Sequence, residues 1–542
     1  MADTSGPTDG GGGQEEAGLY TRQSSGLVRD ISASSNIGLN IAFVSIPLAA
    51  LVATEAPFAF PGASPFWVTV ICAAICIFPV LLYSLFTAVM PRSGGDYVFV
   101  SRTLHPWVGF AANFNIVAWY VLVIAYFAYL LAPLGVSSAF STLGSLTKNA
   151  TLTQWATDAA TNKGIEFGLG AAVLILVGFM MTLRLRRMLR VQGALFAFSL
   201  LSVVIAGVLL LTTGRAEFAH DITRFGGNYA KILSDAHKAG YTGGGTFSLG
   251  ETLLALPLAF ASFGYAVVTA YAGGEVRSPK SSGRNAMVYA LVISGVVVAI
   301  LLGLADRTFG VNFLGSATYL SNTAAKTYPF AAPSFFFYFV GMLTTSTPLL
   351  VVMSLSFIAA FVVALPVTFL IATRSIFAWS FDRILPDRLS DVSERTHSPL
   401  VANFVVLGAA LIFLTIIVFV GGGFLQLLYT AGLAEILTFF VVAIAGIIFP
   451  FRRRALYESS PINFRWLGLP AISVTGVLSL IIYIFFFVSL ATQSALGANA
   501  TVGIIATVVI AAIGIVIFPI SYALNRRRGV DLSLAFRELP PE

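Results

Sequence analysis

Charge is scarce in this chain. Asp, Glu, Lys and Arg make up 10% of its 542 residues, and 57% are hydrophobic. That balance excludes an ordinary soluble domain and describes an integral membrane protein. The formal charge of +7 invites a nucleic-acid partner. Its cations, however, sit in short segments between apolar runs, the pattern that orients a membrane protein, so no nucleic acid is expected. Only two cysteines occur, Cys72 and Cys76, four residues apart on one apolar helix. With no other Cys or His nearby they read as core residues, not as a metal site or a disulfide. The four histidines, His105, His220, His237 and His397, all fall between the apolar runs, which leaves no metal centre or catalytic triad within the membrane. There is no G-x-x-x-x-G-K-[ST] phosphate loop, so a nucleotide-driven pump is not expected, and Gly243–Gly245 and Gly421–Gly423 read as loop glycines. Neither an enzyme nor a cofactor is expected.

What the chain has instead is long apolar runs. At about 20 residues per crossing, spans are expected at 31–53, 66–90, 107–133, 165–183, 191–213, 252–273, 286–305, 346–373, 401–420, 424–449, 469–491 and 502–523. That makes an all-α membrane protein of twelve transmembrane helices. Residues 333–373 could hold two spans. One span there, preceded by a short outer helix at Phe335–Val340, keeps 23 of the 31 Lys and Arg on one side. That bias places both termini in the cytoplasm. Residues 1–25, rich in Gly, Asp and Glu, read as a flexible tail and not a signal peptide. Residues 26–525 form the helical domain and 526–542 a second short tail. Long outer loops are expected at Ser137–Gly164, Gly214–Thr246 and Asp306–Pro333, with N-x-T sequons at Asn149 and Asn499 on the outer side.

The sixth apolar run ends in FASFGYAVVTAYAGGEVRSP, Phe260 to Pro279, where Ser262, Gly264 and Gly273-Gly274 interrupt it. Each glycine costs a helix about 1 kcal/mol relative to alanine. Backbone broken at membrane depth is tolerated where it lines a protein-enclosed cavity, and the half-helix ends then offer N–H groups to anions and carbonyls to cations. The same glycines equally suit an unbroken helix packed closely on its neighbours.

Three segments carry a resemblance. After the second span comes MPRSGGDYVFVSRTLHPWVGF, Met90 to Phe110; the sixth ends in Gly273-Gly274-Glu275-Val276-Arg277-Ser278-Pro279; and the eighth is followed by Arg374-Ser375-Ile376-Phe377-Ala378-Trp379 running on to Arg383-Ile384-Leu385-Pro386. In that order and on one side, these motifs resemble those of the amino acid–polyamine–organocation superfamily of transporters, over residues 26–525. The resemblance implies two five-helix repeats inverted in the membrane, spans 1–5 and 6–10, with two C-terminal helices appended. Spans 1 and 6 would be broken, with an amino acid bound between them. Span 1 departs from the family's Gly-x-Gly pattern and offers Gly38, Ala42, Ser45 and Pro47. Proline clashes with the carbonyl four residues back, here that of Phe43, so a break at Ala42–Ser45 is expected.

The substrate site implied is therefore Ile41, Ala42, Phe43, Val44 and Ser45 of span 1, Tyr120 of span 3, and Phe260, Ala261, Ser262, Phe263, Gly264 and Tyr265 of span 6. No charge lies at mid-depth in those spans, which points to a neutral, apolar or aromatic amino acid. Glu435, inside span 10, is a candidate proton carrier; the alternative is a carboxyl in a watered vestibule, bonded to Tyr429 or Thr430. Glu275 is expected to pair with Arg277 or Arg284. Neither H+ nor Na+ is singled out as coupling ion: span 5 lacks the lysine of some proton-driven relatives, and Ser354, Ser356 and Thr368 of span 8 can bond their own backbone. A secondary active transporter in the plasma membrane is the reading. An exchanger, or a sensor or partner-dependent subunit on the same scaffold, is the alternative.

Overall fold

Prolines and capping side chains set many of the helix boundaries. The computed structural model describes residues 26–243, 246–278, 282–420 and 424–536. The expected tail at 1–25, the end of the C-terminal tail and Gly421–Gly423 lie outside these. Among the described residues, eleven helices are long and apolar enough to cross a bilayer. The expected twelfth, at 252–273, is not one of them, because it is divided into short pieces of which Leu249–Phe263 is the longest apolar part.

The first stretch comprises α1 (Ala33–Val44) and α2 (Ile46–Ala53). Next comes α3 (Pro65–Val89), whose first turn is fixed by Pro65 and by the Ser64 hydroxyl accepting from the Trp67 amide. The short α4 (Asp96–Thr103) leads to α5 (Pro106–Leu130). The chain then passes through a wide turn at Leu131–Val136 into a further helix, Ser137–Thr147. Helices α6 (Lys163–Met181) and α7 (Leu185–Thr212) follow. The interrupted stretch holds α8 (Leu256–Phe263) and α9 (Val268–Tyr271). Beyond it run α10 (Ser282–Thr308), α11 (Thr347–Phe381), α12 (Leu400–Thr415), α13 (Phe424–Arg452), α14 (Ala471–Thr492) and α15 (Thr501–Arg527). The debated 333–373 region is one long helix, α11, preceded by a short one at Phe336–Gly341.

The stretches expected as loops carry helices too. Ala150–Thr161, Arg215–Asp221, Tyr229–Lys238 and Val311–Thr323 are helical. Asn149 caps the first of these through its side chain, as Asn228 caps the third. Tyr229–Lys238 buries Ile232 and Ala236 amid charged neighbours, a short amphipathic pattern that a search for long apolar runs passes over.

Helix α3 packs along α10, α7 along α11, and α5 against α11, α13 and α15; α1 lies against α10, and α8 against α3. Large apolar side chains left exposed, such as Val204, Val208 and Leu211 on α7 and Val508 and Val516 on α15, form the outer surface that faces lipid in a membrane.

Candidate functional site

Both interruptions have local causes. Between α1 and α2, Ser45 adopts a left-handed conformation at φ 49° and ψ 78°, which costs a non-glycine residue roughly 1–2 kcal/mol. Pro47 sits in the first turn of α2, where its missing N–H does no harm; one turn further into a continuous helix it would have collided with the Phe43 carbonyl. The interruption lies at Ser45. In the other stretch, α8 ends at Phe263, residues 264–267 turn, and only the single turn of α9 follows before a tight turn at Gly273–Glu275. The two stretches are tied together below the breaks: the Asn40 amide donates to the Thr269 hydroxyl at 2.9 Å.

A cavity enclosing about 570 Å³ of empty space, its mouth included, lies beside these breaks. Of the residues expected there, Phe43, Tyr120, Phe260, Ala261, Tyr265 and Glu435 line it. Ile41, Ala42, Val44, Ser45, Ser262, Phe263 and Gly264 are buried in the same two stretches without lining it. Residues the sequence reading missed complete the wall: Val123, Phe127, Pro257, Ala431, Gly432 and Leu490. Val123 and Phe127 continue the Tyr120 face of α5 at helical spacing, a signal present in the sequence. Leu490 comes from α14 and could be found only from the fold.

The wall is aromatic. Phe43 meets Tyr120 and Tyr265 edge-on at 6.2 and 6.1 Å between ring centres. Phe260 stacks on Phe486 at 4.1 Å and flanks Tyr265 at 5.7 Å. Gly264 matters for this arrangement: a Cβ there would lie 2.4 Å from the Phe260 ring.

Glu435 brings a carboxyl to this wall, 3% exposed, with the Tyr265 hydroxyl near it. The Thr430 hydroxyl donates to the Ala498 carbonyl at 3.1 Å, and the Tyr429 side chain is outside the described residues. The register of α13 is pinned on either side of Glu435. Asn115 donates to the Ala434 carbonyl at 2.8 Å, and Thr438 to the Ala112 carbonyl at 2.7 Å.

The arginine-rich end of the bundle is closed by buried polar pairs. Glu275 does not pair with Arg277 or Arg284 as expected; it is held by Arg374 through two hydrogen bonds of 2.5 and 3.0 Å. Arg277 and Arg186 instead flank Asp30 at 3.2 and 3.1 Å. Burial pushes the Asp30 carboxyl up, but the two arginines outweigh it and hold it below its ordinary value. Asp382 joins Arg102 and Tyr97, each at 2.6 Å. Backbone closes the same end: Ile31 donates to the Glu275 carbonyl, Arg277 to that of Ile31, and Gly94 to that of Tyr271. Gly94 and Gly95 both have positive φ, and side chains there would strike Ala378 and Tyr271 at 2.6 and 2.8 Å. That is the physical need behind the Gly-Gly pair. The three motifs of the sequence therefore meet at one end of the molecule.

The family model for amino acid permeases matches residues 31–524. The chain belongs to the amino acid permease family. It is accordingly a multi-pass membrane protein of amino acid transport, a permease. No curated protein matches the chain. Among the described residues no group of three or more His, Cys, Asp or Glu could hold a metal ion.

Proposed function

We propose that this permease is a secondary active transporter of neutral, apolar or aromatic amino acids, working by alternating access with the arginine-rich end in the cytoplasm of a plasma-membrane protein. The observation that carries this reading is an aromatic cavity bounded by both interrupted stretches, at α1–α2 and α8–α9. First-turn amides of a helix have no carbonyl of their own helix to bond and suit a carboxylate; last-turn carbonyls suit an ammonium. The start of α2 and the ends of α1 and α8 would hold the two backbone charges of the substrate, and Phe43, Tyr120, Phe260 and Tyr265 would face its side chain.

Twelve spans in two inverted five-helix repeats are the architecture this reading adopts, with the interrupted stretch counted as span 6. Packing supports it. Exchanging spans 1–5 with 6–10 carries the contact of α1 with α10 onto that of α8 with α3, and α7 with α11 onto α13 with α5. The pairs α3–α10 and α5–α11 map onto themselves.

Glu435 favours one second reading. A carboxyl in the cavity wall can serve as counter-ion for a cationic side chain instead of as a proton site. Uptake of labelled amino acids into proteoliposomes separates the two. Uptake of phenylalanine or leucine, with arginine and lysine failing to compete, supports the neutral reading; transport of arginine in preference to leucine, lost in Glu435→Gln, overturns it. Uptake seen only with preloaded vesicles would make the protein an exchanger.

A further inference from the structure

One buried acid has no role in the substrate site. Asp96 opens α4 at the arginine-rich end, outside the spans, and is 1% exposed. Its Oδ1 accepts from the Asn113 amide at 3.0 Å, and Asn113 in turn accepts from the Trp379 indole at 2.7 Å. Its Oδ2 is buried without a hydrogen bond; the Tyr271 hydroxyl lies near the carboxyl but not in bonding geometry. A carboxyl desolvated in this way, with one oxygen unsatisfied, calls for a proton or a cation.

No cation supplies it among the described residues. On its own helix, Arg102 is committed to Asp382. From α11, Arg374 is committed to Glu275. Just past the end of α13, Arg453 donates to the Arg102 carbonyl at 2.6 Å, and Glu435 of α13 acts on Tyr120 as Asp96 does. The remaining titratable groups facing Asp96 are the hydroxyls of Tyr271, Tyr83 and Tyr120. Burial pushes the carboxyl up to about 7, with the Tyr271 and Asn113 contacts opposing that rise.

Its position gives the proton a mechanical meaning. Two residues before Asp96, the Gly94 amide donates to the carbonyl of Tyr271 at 2.9 Å, and Ser93 pairs with Ala272. Opening this end must part these contacts and admit water to Asp96. We propose that Asp96 is a proton-binding site that latches the arginine-rich end shut: protonated it holds the closed form, and released to water it favours the open one. The inference rests on the transporter reading only in taking that open form as part of a transport cycle.

The sign follows from linkage. The closed form, with the higher value, binds more protons than the hydrated open form. Closure is therefore strongest below the ordinary aspartate range, weakens as pH rises from about 4 to about 7, and is constant above. Within that window one proton changes the open population by about tenfold per pH unit.

The test uses purified full-length protein with Cys72→Ala and Cys76→Ala and a reporter, Ser93→Cys, at a site 2% exposed. Labelling by a charged maleimide is measured at several pH values and divided by the rate for the unfolded protein at the same pH, which removes thiolate chemistry. The corrected rate should climb steeply up to about pH 7 and level off. Asp96→Asn should abolish the climb and Asp96→Glu should retain it. A flat profile with Asp96 present would overturn the proposal even if the variants failed to fold, and so would an unchanged climb in Asp96→Asn. Climbing labelling in a protein that takes up no amino acid would instead sink the transporter reading and leave the latch.

Discussion

Gly264→Ala sets two physical effects against each other. The backbone at Gly264 is right-handed helical, φ −63°, so alanine meets no conformational strain and by propensity alone would help by up to about 1 kcal/mol. The structure gives the opposite sign. The new Cβ would approach three atoms of the Phe260 ring at 2.4, 2.7 and 2.8 Å, where carbon contacts are comfortable only at about 3.5 Å or more. The ring cannot retreat toward Phe486, already stacked at 4.1 Å, so it must move by about 1 Å, and the open side is the cavity. Overpacking of this kind costs about 1–3 kcal/mol. The thermal midpoint should fall, and since the displaced ring moves into the cavity, KM for a neutral amino acid should rise. The assay is initial-rate uptake in proteoliposomes, with thermal unfolding in detergent as a check on folding. Adding Phe260→Leu removes the clashing ring, so the double variant should lose less than the sum of the single losses. Wild-type KM and stability in Gly264→Ala would refute the reasoning.

Arg374→Met should lower the thermal midpoint markedly, because stranding a buried partner such as Glu275 costs about 3–5 kcal/mol; Glu275→Leu with Arg374→Met should recover much of that, as unfolding scans would show. Asp30→Asn touches a pair on arginines that are about half exposed or more and should cost at most about 1 kcal/mol. Because the Asp30 carboxyl is held below its ordinary value, that contribution should be full at neutral pH and fade only as pH falls below about 4; unfolding midpoints at pH 7 and pH 3.5 check this. Glu435→Gln should remove stimulation of uptake by an imposed pH gradient while shifting neutral-substrate binding by no more than a factor of about three, because the neutral amide keeps the size and hydrogen-bonding capacity of the carboxyl. Gly95→Ala, at φ 51° and against the Tyr271 ring, should loosen the closed end and speed labelling at Ser93→Cys.

Much of the scaffold was legible in the chain because bilayer thickness imposes a length and polarity that periodic reading detects. Ser45 shows how sequence and structure meet: α1 ends at Val44, Ser45 turns left-handed, and Pro47 falls in the first turn of α2, whereas Pro79 and Pro366 lie inside continuous helices. Glu275 shows where it fails. Arg277 and Arg284 are its sequence neighbours, but the bond goes to Arg374, 99 residues away, and only the fold brings α11 to the end of the interrupted stretch. Asp96 is a further case. Read locally it is an acid at a helix start; that it is sealed beneath Tyr271 depends on the turn made by Gly94-Gly95 and on helices from three parts of the chain. The helices at Ala150–Thr161, Arg215–Asp221, Tyr229–Lys238 and Val311–Thr323 were missed for a different reason, since their stability comes from caps and short amphipathic faces and not from long apolar runs.

The central claim is that the amino acid sits in the cavity walled by Phe43, Tyr120, Phe260 and Tyr265. Ala261 lines that cavity and is half-buried, so Ala261→Trp should fill it while leaving the helices outside it in place. The measurement is equilibrium binding of tritiated phenylalanine to the purified wild type and to Ala261→Trp, each first shown to be monodisperse. Saturable binding to the wild type that is lost in the variant is the predicted result. Equal binding to both would put the substrate elsewhere and contradict the account.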